Sequence, residues 1–464
     1  MKCYLVCEQE KLYNDLMDLV RAYYPHIEPS PDGEPLVVEA WQEDCYRVQV
    51  RYVGRLWQDE QPFWDDGNDL LRQRHYKWFV KKTVYRALCE VCGVALPYGS
   101  LTGIRPTKLY YEMTAEGLDA HSMLADYFGV SGEKVALVED IVAAQRGIYG
   151  VDIDAYDHFA NIPVCPTRCA YCSFIAETYP KVKKQMADYT RNLSKGIESF
   201  FDLGVRRRAI YVGGGTPTCI PTDMLAQILA AFRHEGEEFT VEAGRPETIT
   251  PEVVAVLALA GVNRVSVNPQ TFKDQTLRKI GRAHTVDDIL RAYDLVAGKF
   301  DVNMDLIAML PDETMDDFAD SVARAVALRP QNITVHSLSV KRGSALALAG
   351  YDSAQNNALA EAMSAYAYAT LKAAGYSPYY MYRQKNTEGR LENVGYTLAG
   401  KACVYNVDIM EETHSIYASG AGAISKRVYP EAGRIERLAE IKEVKGYNQR
   451  AEELLAKKKV FFAQ

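Results

Sequence analysis

Residues 164–172 read Val164-Cys165-Pro166-Thr167-Arg168-Cys169-Ala170-Tyr171-Cys172 and place three cysteines in the spacing C-x3-C-x2-C. A loop this short, held by a turn-forming proline, can bring three thiolates to one metal centre. Soft thiolate ligands select zinc or iron–sulfur clusters. Because a structural zinc site is closed by four ligands, three cysteines alone favour a [4Fe-4S] cluster with one iron open to a small molecule.

Two alternative interpretations of these cysteines are open. The first is that they are ordinary buried residues, although three of them in one polar, proline-containing loop are unusual for core packing. The second is that His158 completes a zinc tetrahedron, since histidine joins cysteine in such sites. No second C-x2-C pair lies nearby in the sequence to form a zinc ribbon or finger. The cluster is therefore the favoured interpretation.

The composition excludes several classes of protein. A chain of 464 residues is long enough for two or three domains. Its net charge of −8 argues against a nucleic-acid-binding protein, whose binding surface is normally basic. The sequence has no apolar run near the ~20 residues of a membrane helix, and no secretory signal at its start. Ten irregularly scattered cysteines suit reduced thiols plus a metal centre, so we expect a cytoplasmic protein.

Three regions are predicted along the chain. Residues 1–150 mix strand-like runs with an amphipathic helical stretch, which predicts an N-terminal α+β domain of unknown role. Residues 151–345 alternate β-rich runs with helical patterns, as in βαβ units around a parallel sheet. Six such units are too few for a closed eight-stranded barrel, so we predict a partial (βα)6 TIM-like barrel. Residues 346–464 open with an Ala-rich helix and are predicted to form a C-terminal domain.

Unusual residues follow the predicted strands, which cover 158–164, 209–213, 239–243, 264–269, 302–310 and 332–340. In α/β barrels, ligands bind at the carboxyl ends of the strands. The cysteine loop follows the first strand, and the turn Gly213-Gly214-Gly215-Thr216 follows the second. Glycines in such a turn let the backbone approach a ligand and offer it N–H groups. The two neighbouring features therefore predict one ligand site.

Two acidic residues lie inside otherwise apolar strands. Glu242 belongs to the third predicted strand and Asp305 to the fifth. Buried polar groups need partners or a function. The structural alternative for each carboxylate is an internal salt bridge with Arg264 or Arg282.

Taken together, these blocks resemble the radical S-adenosylmethionine (radical SAM) superfamily. The resemblance is carried by the cysteine loop, the glycine turn, Glu242, Gln270, Arg282 and Asp305. Within the superfamily, the chain resembles the oxygen-independent coproporphyrinogen III oxidase, or HemN-like, family. The matching blocks are Asn161-Ile162-Pro163-Val164-Cys165, Tyr211-Val212-Gly213-Gly214-Gly215-Thr216-Pro217-Thr218 and Gly420-Ala421-Gly422-Ala423. The N-terminal region and Asn268-Pro269-Gln270-Thr271 are most similar to the HemZ branch, and the match covers roughly residues 158–430.

The resemblance implies two cofactors, a [4Fe-4S] cluster on Cys165, Cys169 and Cys172 and S-adenosylmethionine (SAM) at its open iron. One electron then cleaves the sulfonium C–S bond, and a 5′-deoxyadenosyl radical abstracts hydrogen from the substrate. An electron donor such as flavodoxin or ferredoxin is implied as a partner. No catalytic proton donor is assigned. Carried over residue by residue, the cofactor contacts are Tyr171, Gly214, Gly215, Thr216, Glu242, Gln270, Arg282, Asp305 and Ile424.

The implied reaction is the anaerobic decarboxylation of two propionates of coproporphyrinogen III, which gives protoporphyrinogen IX. Three residues depart from the family pattern. Phe174 stands where the decarboxylases carry a fourth cysteine, Phe159 where a tyrosine helps to bind the cofactor, and Asn161 where the family has histidine. The alternatives are a haem-binding chaperone of the HemW branch, which shares the first departure, and a radical SAM enzyme that modifies or degrades haem.

A tetracarboxylate substrate needs cations near the mouth of the barrel, and arginine suits bidentate carboxylate recognition. Arg245 follows the third predicted strand, and Lys341 and Arg342 follow the sixth, so these three are the predicted substrate residues. Two other basic runs, Arg206-Arg207-Arg208 and Lys457-Lys458-Lys459, are predicted to be solvated charge runs.

Overall fold

The computed structural model describes residues 3–24, 33–64, 68–103, 105–172, 176–340, 343–351, 357–384 and 391–463. Three of the residues discussed above, Phe174, Lys341 and Arg342, lie outside these described residues. The chain divides into two units, Met1–Asp140 and Ile141–Gln464. Within the described ranges, we find no helix with the length and apolar character needed to cross a membrane.

The first unit is built on a four-stranded sheet in the order β1-β2-β3-β4. Strand β1 is parallel to β2, and the other neighbours are antiparallel. Every second residue of β3 is buried, because successive side chains point to opposite faces of a strand. The elements are β1 Cys3–Val6, α1 Glu10–Tyr23, β2 Glu34–Gln42, β3 Tyr46–Tyr52, β4 Arg55–Gln61, α2 Asp69–Cys92, α3 Pro106–Ala115, α4 Ala120–Ser122, the π-helical turn Met123–Tyr127, and α5 Gly132–Ala144, which crosses the boundary.

The second unit contains an eleven-stranded sheet in the order β13-β14-β12-β11-β10-β9-β8-β5-β15-β16-β17. Its six central strands are parallel, as the sequence predicted. They run side by side without closing, so the partial barrel is confirmed. The strands are β5 Ala155–Ile162, β6 Val164–Cys165, β7 Glu177–Thr178, β8 Arg206–Gly214, β9 Glu238–Val241, β10 Arg264–Ser266, β11 Asp301–Ala308, β12 Asn332–Ser337, β13 Ser377–Arg383, β14 Glu392–Thr397, β15 Ser415–Ser419, β16 Ile424–Tyr429 and β17 Arg434–Ala439.

Helices connect the parallel strands, and side-chain caps mark several of their starts. Thr285 and Thr314 each form a capping box with the aspartate three residues later, which satisfies otherwise unpaired N–H groups. The helices are α6 Tyr179–Val182, α7 Met186–Glu198, α8 Thr222–Ala230, α9 Pro251–Leu259, α10 Asp274–Lys279, α11 Val286–Val296, α12 Met315–Leu328, α13 Ala345–Leu348, α14 Asn357–Ala373, α15 Val404–Glu411, α16 Val444–Gln449 and α17 Ala451–Ala463, with 3₁₀ turns at Lys183–Gln185, Ser199–Leu203, Pro217–Cys219 and Pro246–Thr248.

The residues after 345 extend both edges of this sheet. Strand β14 pairs antiparallel with β12 at one edge, and β15 pairs parallel with β5 at the other. The region predicted as a C-terminal domain thus continues the barrel sheet in the structure. The domain boundaries at residues 150 and 345 stay predictions.

Two of the basic residues predicted to be solvated are buried. The Arg207 side chain is 4% exposed, and its Nη2 lies 2.7 Å from Oε1 of Glu237. The Lys458 side chain is 2% exposed and lies 2.5 Å from a carboxylate oxygen of Glu440. The prediction was wrong for these two, because segments distant along the chain cover them and supply a carboxylate.

Candidate functional site

The cysteine loop lies at the carboxyl end of the parallel sheet, directly after β5. Cys165 ends the short strand β6. A turn joins the Cys172 N–H to the Cys169 carbonyl at 3.1 Å, and the Ala170 N–H bonds the Ile280 carbonyl at 2.9 Å. The second contact fastens the loop to the segment between α10 and α11.

The three thiols share a polar and partly buried environment. Arg245 Nη1 donates to Sγ of Cys169 at 2.9 Å, and Thr216 Oγ1 donates to Sγ of Cys165 at 3.7 Å. Burial raises the pKa of the Cys165 thiol, the Thr216 hydrogen bond opposes this, and negative charge on Cys172 and Cys169 raises it further. The cysteines therefore lie close enough to influence one another electrostatically.

The donor set fits an iron–sulfur cluster. Among the described residues, no three His, Cys, Asp or Glu side chains are already arranged to hold a metal ion. Three thiols from one loop are nevertheless the ligands that such clusters take. His158 does not support the zinc alternative, because its fully buried ring packs against Phe200 and Phe232, with ring centroids 4.4 and 4.7 Å apart.

The glycine turn packs directly against the cysteine loop. Gly214 has a φ of +111°, and a Cβ on it would lie 2.1 Å from Oδ1 of Asn161. A Cβ on Gly215 would lie 2.4 Å from the Val164 carbonyl oxygen. The N–H of Thr216 bonds that same carbonyl at 2.7 Å, and the N–H of Gly215 bonds the last carbonyl of β5 at 2.9 Å. These two N–H groups thus bond the protein backbone, and the glycines allow close backbone approach. The contacts of Gly214, Gly215 and Thr216 with the cofactor stay predictions.

Glu242 lies beside this turn, one residue after β9. Its Oε1 accepts a hydrogen bond from the Tyr211 hydroxyl at 2.6 Å. Burial raises the pKa of Glu242 to about 7; the Tyr211 hydrogen bond opposes the rise, and the negative charge of Asp305 adds to it. The carboxyl group is therefore poised to change its charge near neutral pH.

The alternative salt bridges for Glu242 and Asp305 are not formed among the described residues. Arg264 pairs instead with Glu238 and Asp301, at 3.6 and 3.7 Å. Arg282 donates to the backbone carbonyls of Gly244 and Asn268 and to the Tyr171 hydroxyl. Neither acidic residue is thus neutralised by the arginine that the structural alternative required.

Asp305 is held as an anion by its neighbours. Asn303 Nδ2 donates to its Oδ1 at 2.8 Å, and His336 Nε2 lies 3.7 Å from its Oδ2. Although burial acts in the opposite direction, the hydrogen bond and positive charge of His336 lower the pKa of Asp305. Glu242 and Asp305 therefore have pKa values shifted in opposite directions within one site.

Gln270 and Arg282 contribute buried polar atoms that have no hydrogen-bond partner among the described residues. Gln270 has a φ of +68°, and its Oε1 is buried without a hydrogen bond. Arg282 donates to the Asn268 carbonyl at 2.6 Å and to the Tyr171 hydroxyl at 3.3 Å, while its Nε is unpaired. Unsatisfied buried groups are rare in folded proteins, and a polar ligand can satisfy them. The structure thus brings Arg282 and Tyr171, both predicted site residues, into contact.

The segment Gly420-Ala421-Gly422-Ala423, one of the blocks that carry the resemblance, contacts Asn161 of β5. Its Nδ2 donates to the Ala421 carbonyl at 2.5 Å. Ile424 begins β16 and is 51% exposed. Its contact with the cofactor stays a prediction.

Tyr211 is a site residue that the sequence reasoning did not single out. It stacks on Tyr405, with ring centroids 4.4 Å apart, and Phe159 packs 6.2 Å from it. The signal was available: Tyr211 is two residues before Gly213, so the period of a strand places both on the Glu242 side of β8. Tyr211 thus brings a hydroxyl group to the site, whereas Phe159, which stands in place of the family's tyrosine, has no hydroxyl group.

Of the three predicted substrate cations, only Arg245 lies among the described residues. Arg245 is 3% exposed and bonds Cys169, Thr167 and Glu247. Lys341 and Arg342 lie outside the described residues. The substrate role of these three residues stays a prediction.

Comparisons with known proteins give the same picture. Residues 162–325 match the family model of the radical SAM superfamily. The chain is 37% identical over 419 residues to the oxygen-independent coproporphyrinogen-III oxidase-like protein HemZ of Bacillus subtilis, covering 82% of this chain and 83% of that protein. It is 28% identical over 302 residues to the heme chaperone HemW of Haemophilus influenzae, covering 62% and 74%.

A solved structure shows the same fold. The coproporphyrinogen III oxidase HemN of Escherichia coli, described as a radical SAM enzyme, superposes with a TM-score of 0.53 at 20% identity. The superposition covers 70% of this chain and 73% of that one.

Proposed function

This chain belongs to the HemN-like family of the radical SAM superfamily, and we propose that Cys165, Cys169 and Cys172 bind a [4Fe-4S] cluster with SAM beside it. These are the cofactors that the superfamily generally uses. When bound, the cluster supplies the electron that cleaves SAM and starts radical chemistry. We place the protein in the cytoplasm, with flavodoxin or ferredoxin as the source of that electron.

One observation carries the proposal: the cysteine loop, the glycine turn and Glu242 meet at the same end of the parallel sheet. The contacts between them are direct, from Thr216 to Cys165 and from the Thr216 N–H to the cysteine loop. Ligands of α/β barrels bind at this end of the strands. The buried atoms of Gln270 and Arg282 that lack a partner in the described part of the chain supply hydrogen-bonding capacity for a polar ligand there.

Different side chains of the site are suited to different groups of SAM. The Asp305 carboxylate, kept ionised by His336, is suited to accept hydrogen bonds from hydroxyl groups. The Glu242 carboxylate is suited to a cationic group, since its negative charge is not neutralised by an arginine. The guanidinium of Arg282 donates to the hydroxyl of Tyr171 and so holds the cysteine loop against the segment after α10.

For the reaction we propose the oxidative decarboxylation of two propionates of coproporphyrinogen III, which gives protoporphyrinogen IX. The relationship to HemZ of Bacillus subtilis supports this substrate class. Anaerobic incubation of the reconstituted protein with SAM, a reductant and coproporphyrinogen III, followed by mass spectrometry, is expected to show the loss of two carbon dioxide units together with 5′-deoxyadenosine. Formation of 5′-deoxyadenosine with an intact porphyrinogen would refute this substrate but not the radical chemistry.

A haem chaperone is the second candidate, favoured by the similarity to proteins named heme chaperone HemW. Phe174, in the position of the missing fourth cysteine, agrees with it. This candidate predicts that the protein binds haem stably and leaves coproporphyrinogen III unchanged. Absorbance titration with haem, followed by mass spectrometry of the recovered tetrapyrrole, separates it from a haem-modifying enzyme, which would consume the haem.

SAM binding is expected to strengthen between pH 6 and pH 8. The pKa of Glu242 is raised to about 7, so its neutral form predominates at pH 6 and its carboxylate at pH 8. A cationic ligand prefers the carboxylate, so affinity falls by up to about tenfold for each pH unit below this pKa. Anaerobic isothermal titration calorimetry of the cluster-loaded protein measures the change.

The matched variants are Glu242→Gln and Glu252→Gln, the second on the exposed start of α9. Glu242→Gln is expected to keep the iron, weaken SAM binding at pH 8 and remove the pH dependence. Glu252→Gln is expected to behave as the wild type. A pH dependence that persists in Glu242→Gln would refute the role of this carboxyl group.

A further inference from the structure

Arg245 is turned into the protein toward a predicted cluster ligand. Arg245 is 3% exposed, and its Nη1 donates to Sγ of Cys169 at 2.9 Å. Nη2 donates to the hydroxyl of Thr167 in the same loop at 2.6 Å. The guanidinium thus contacts two residues of the cysteine loop and places its positive charge beside one sulfur atom.

The rest of the guanidinium is anchored by a chain of hydrogen bonds. Arg245 Nε donates to Oε1 of Glu247 at 2.8 Å, and the other oxygen of Glu247 lies 2.7 Å from Nδ1 of His284. Burial acts against ionisation, but the His284 hydrogen bond and the charge of Arg245 lower the pKa of Glu247 to about 2. The His284 side chain is fully buried. Arg245 is therefore fixed in place by an ionised partner rather than free to swing toward a substrate.

A fixed cation beside a cluster sulfur changes the redox properties of the cluster. Reduction adds one negative charge to the iron–sulfur centre, and hydrogen bonds to its sulfur ligands stabilise the reduced form. Charge-assisted hydrogen bonds are about twice as strong as neutral ones. The effect is enlarged in a buried site, where the effective dielectric constant is low.

We propose that Arg245 is a positioning residue that raises the reduction potential of the [4Fe-4S] cluster through its hydrogen bond to Cys169. The inference rests on the proposed function, since it requires the cluster. It gives Arg245 a role different from carboxylate recognition, because its three donor nitrogens are used inside the protein. Glu247 and His284 then serve to hold the guanidinium against the loop.

The test is the reduction potential of the cluster, measured by redox titration followed by electron paramagnetic resonance, without SAM or tetrapyrrole. The variants are Arg245→Met, which removes the charge and all donors, and Arg245→Lys, which keeps the charge. Arg278→Met is the control, since Arg278 is an exposed cation on α10, the helix before the segment that bonds Ala170. Arg245→Met is expected to shift the reduction equilibrium about tenfold toward the oxidised cluster, or about 59 mV for one electron, and Arg245→Lys by less.

The outcomes separate this inference from the proposed function. If the wild type binds no cluster after reconstitution, both the proposed function and the inference are overturned. If the wild type and variants carry the cluster but Arg245→Met has an unchanged potential, only the inference is overturned. The same holds if Arg278→Met shifts the potential equally, since the effect would then be one of net charge. If neither Arg245 variant assembles a cluster, Arg245 serves loop folding and the proposal fails.

Discussion

Replacing Cys169 by alanine is expected to remove the [4Fe-4S] cluster and, with it, all cleavage of SAM. The variant retains only Cys165 and Cys172 in the loop, and two thiolates do not hold a cluster that takes at least three. Cys169 is also the cysteine that Arg245 contacts. We expect the iron content to fall from about four atoms per chain to near zero, and 5′-deoxyadenosine to fall below detection. Iron analysis and chromatography of an anaerobic reaction measure both.

Cys219→Ala is the matched control for this prediction. Cys219 lies next to the loop, and its Sγ donates to the Val164 carbonyl at 3.4 Å. Burial, followed by the negative charge of Cys165, raises the pKa of the Cys219 thiol to about 12, so it stays protonated and is a poor iron ligand. The control is expected to keep the cluster and its activity. Full iron and activity in Cys169→Ala, or loss of both in Cys219→Ala, would contradict the assignment of the ligands.

Lys458→Met is expected to lower the stability of the second unit by about 3–5 kcal/mol, because it leaves a buried carboxyl group without its partner. The Lys458 and Glu440 side chains are 2% and 3% exposed. Burial raises the pKa of Glu440 and lowers that of Lys458, and each partner opposes the shift of the other. Lys458 also donates to the Ser419 hydroxyl at 3.0 Å. Hydrogen exchange of β15, which contains Ser419, measures the change in opening free energy.

Two further variants sharpen this prediction. Lys457→Met removes the neighbouring cation, which is 55% exposed and pairs with Glu453, so its expected cost is within about 1 kcal/mol. The double variant Lys458→Met with Glu440→Leu removes both charges and is expected to recover much of the lost stability. A cost for Lys458→Met no larger than that for Lys457→Met would show that the pair contributes little.

Much of the fold was predictable because it depends on local patterns. The six parallel strands of the barrel follow from short β-rich runs that alternate with helical periods, and each observed strand overlaps its prediction. The ends of these strands were less well predicted. β10 ends at Ser266, three residues before the predicted end at residue 269. Beyond Ser266 the chain leaves the regular strand and Gln270 forms an isolated bridge with Leu306 of β11.

The site was predictable where one short motif carries it, and less so where several strands meet. The cysteine loop and the glycine turn were located from their own residues. Tyr211 was not singled out, because its importance comes from Glu242, which follows the neighbouring strand β9 and is 31 residues away. The bonds from the Gly215 and Thr216 N–H groups to the carbonyls of Ile162 and Val164 were missed for the same reason.

The sequence by itself determined the cysteine spacing, the order of the strands and helices, and the end of the sheet at which the motifs collect. These properties depend on residues a few positions apart and on the periods of strands and helices. Only the tertiary structure decided the partners of the charged side chains. Arg245 reaches Cys169, 76 residues away, and Arg207 reaches Glu237, 30 residues away, while Lys458 is buried against Glu440. The environment of a charge depends on which distant segments fold over it, and no local period encodes that.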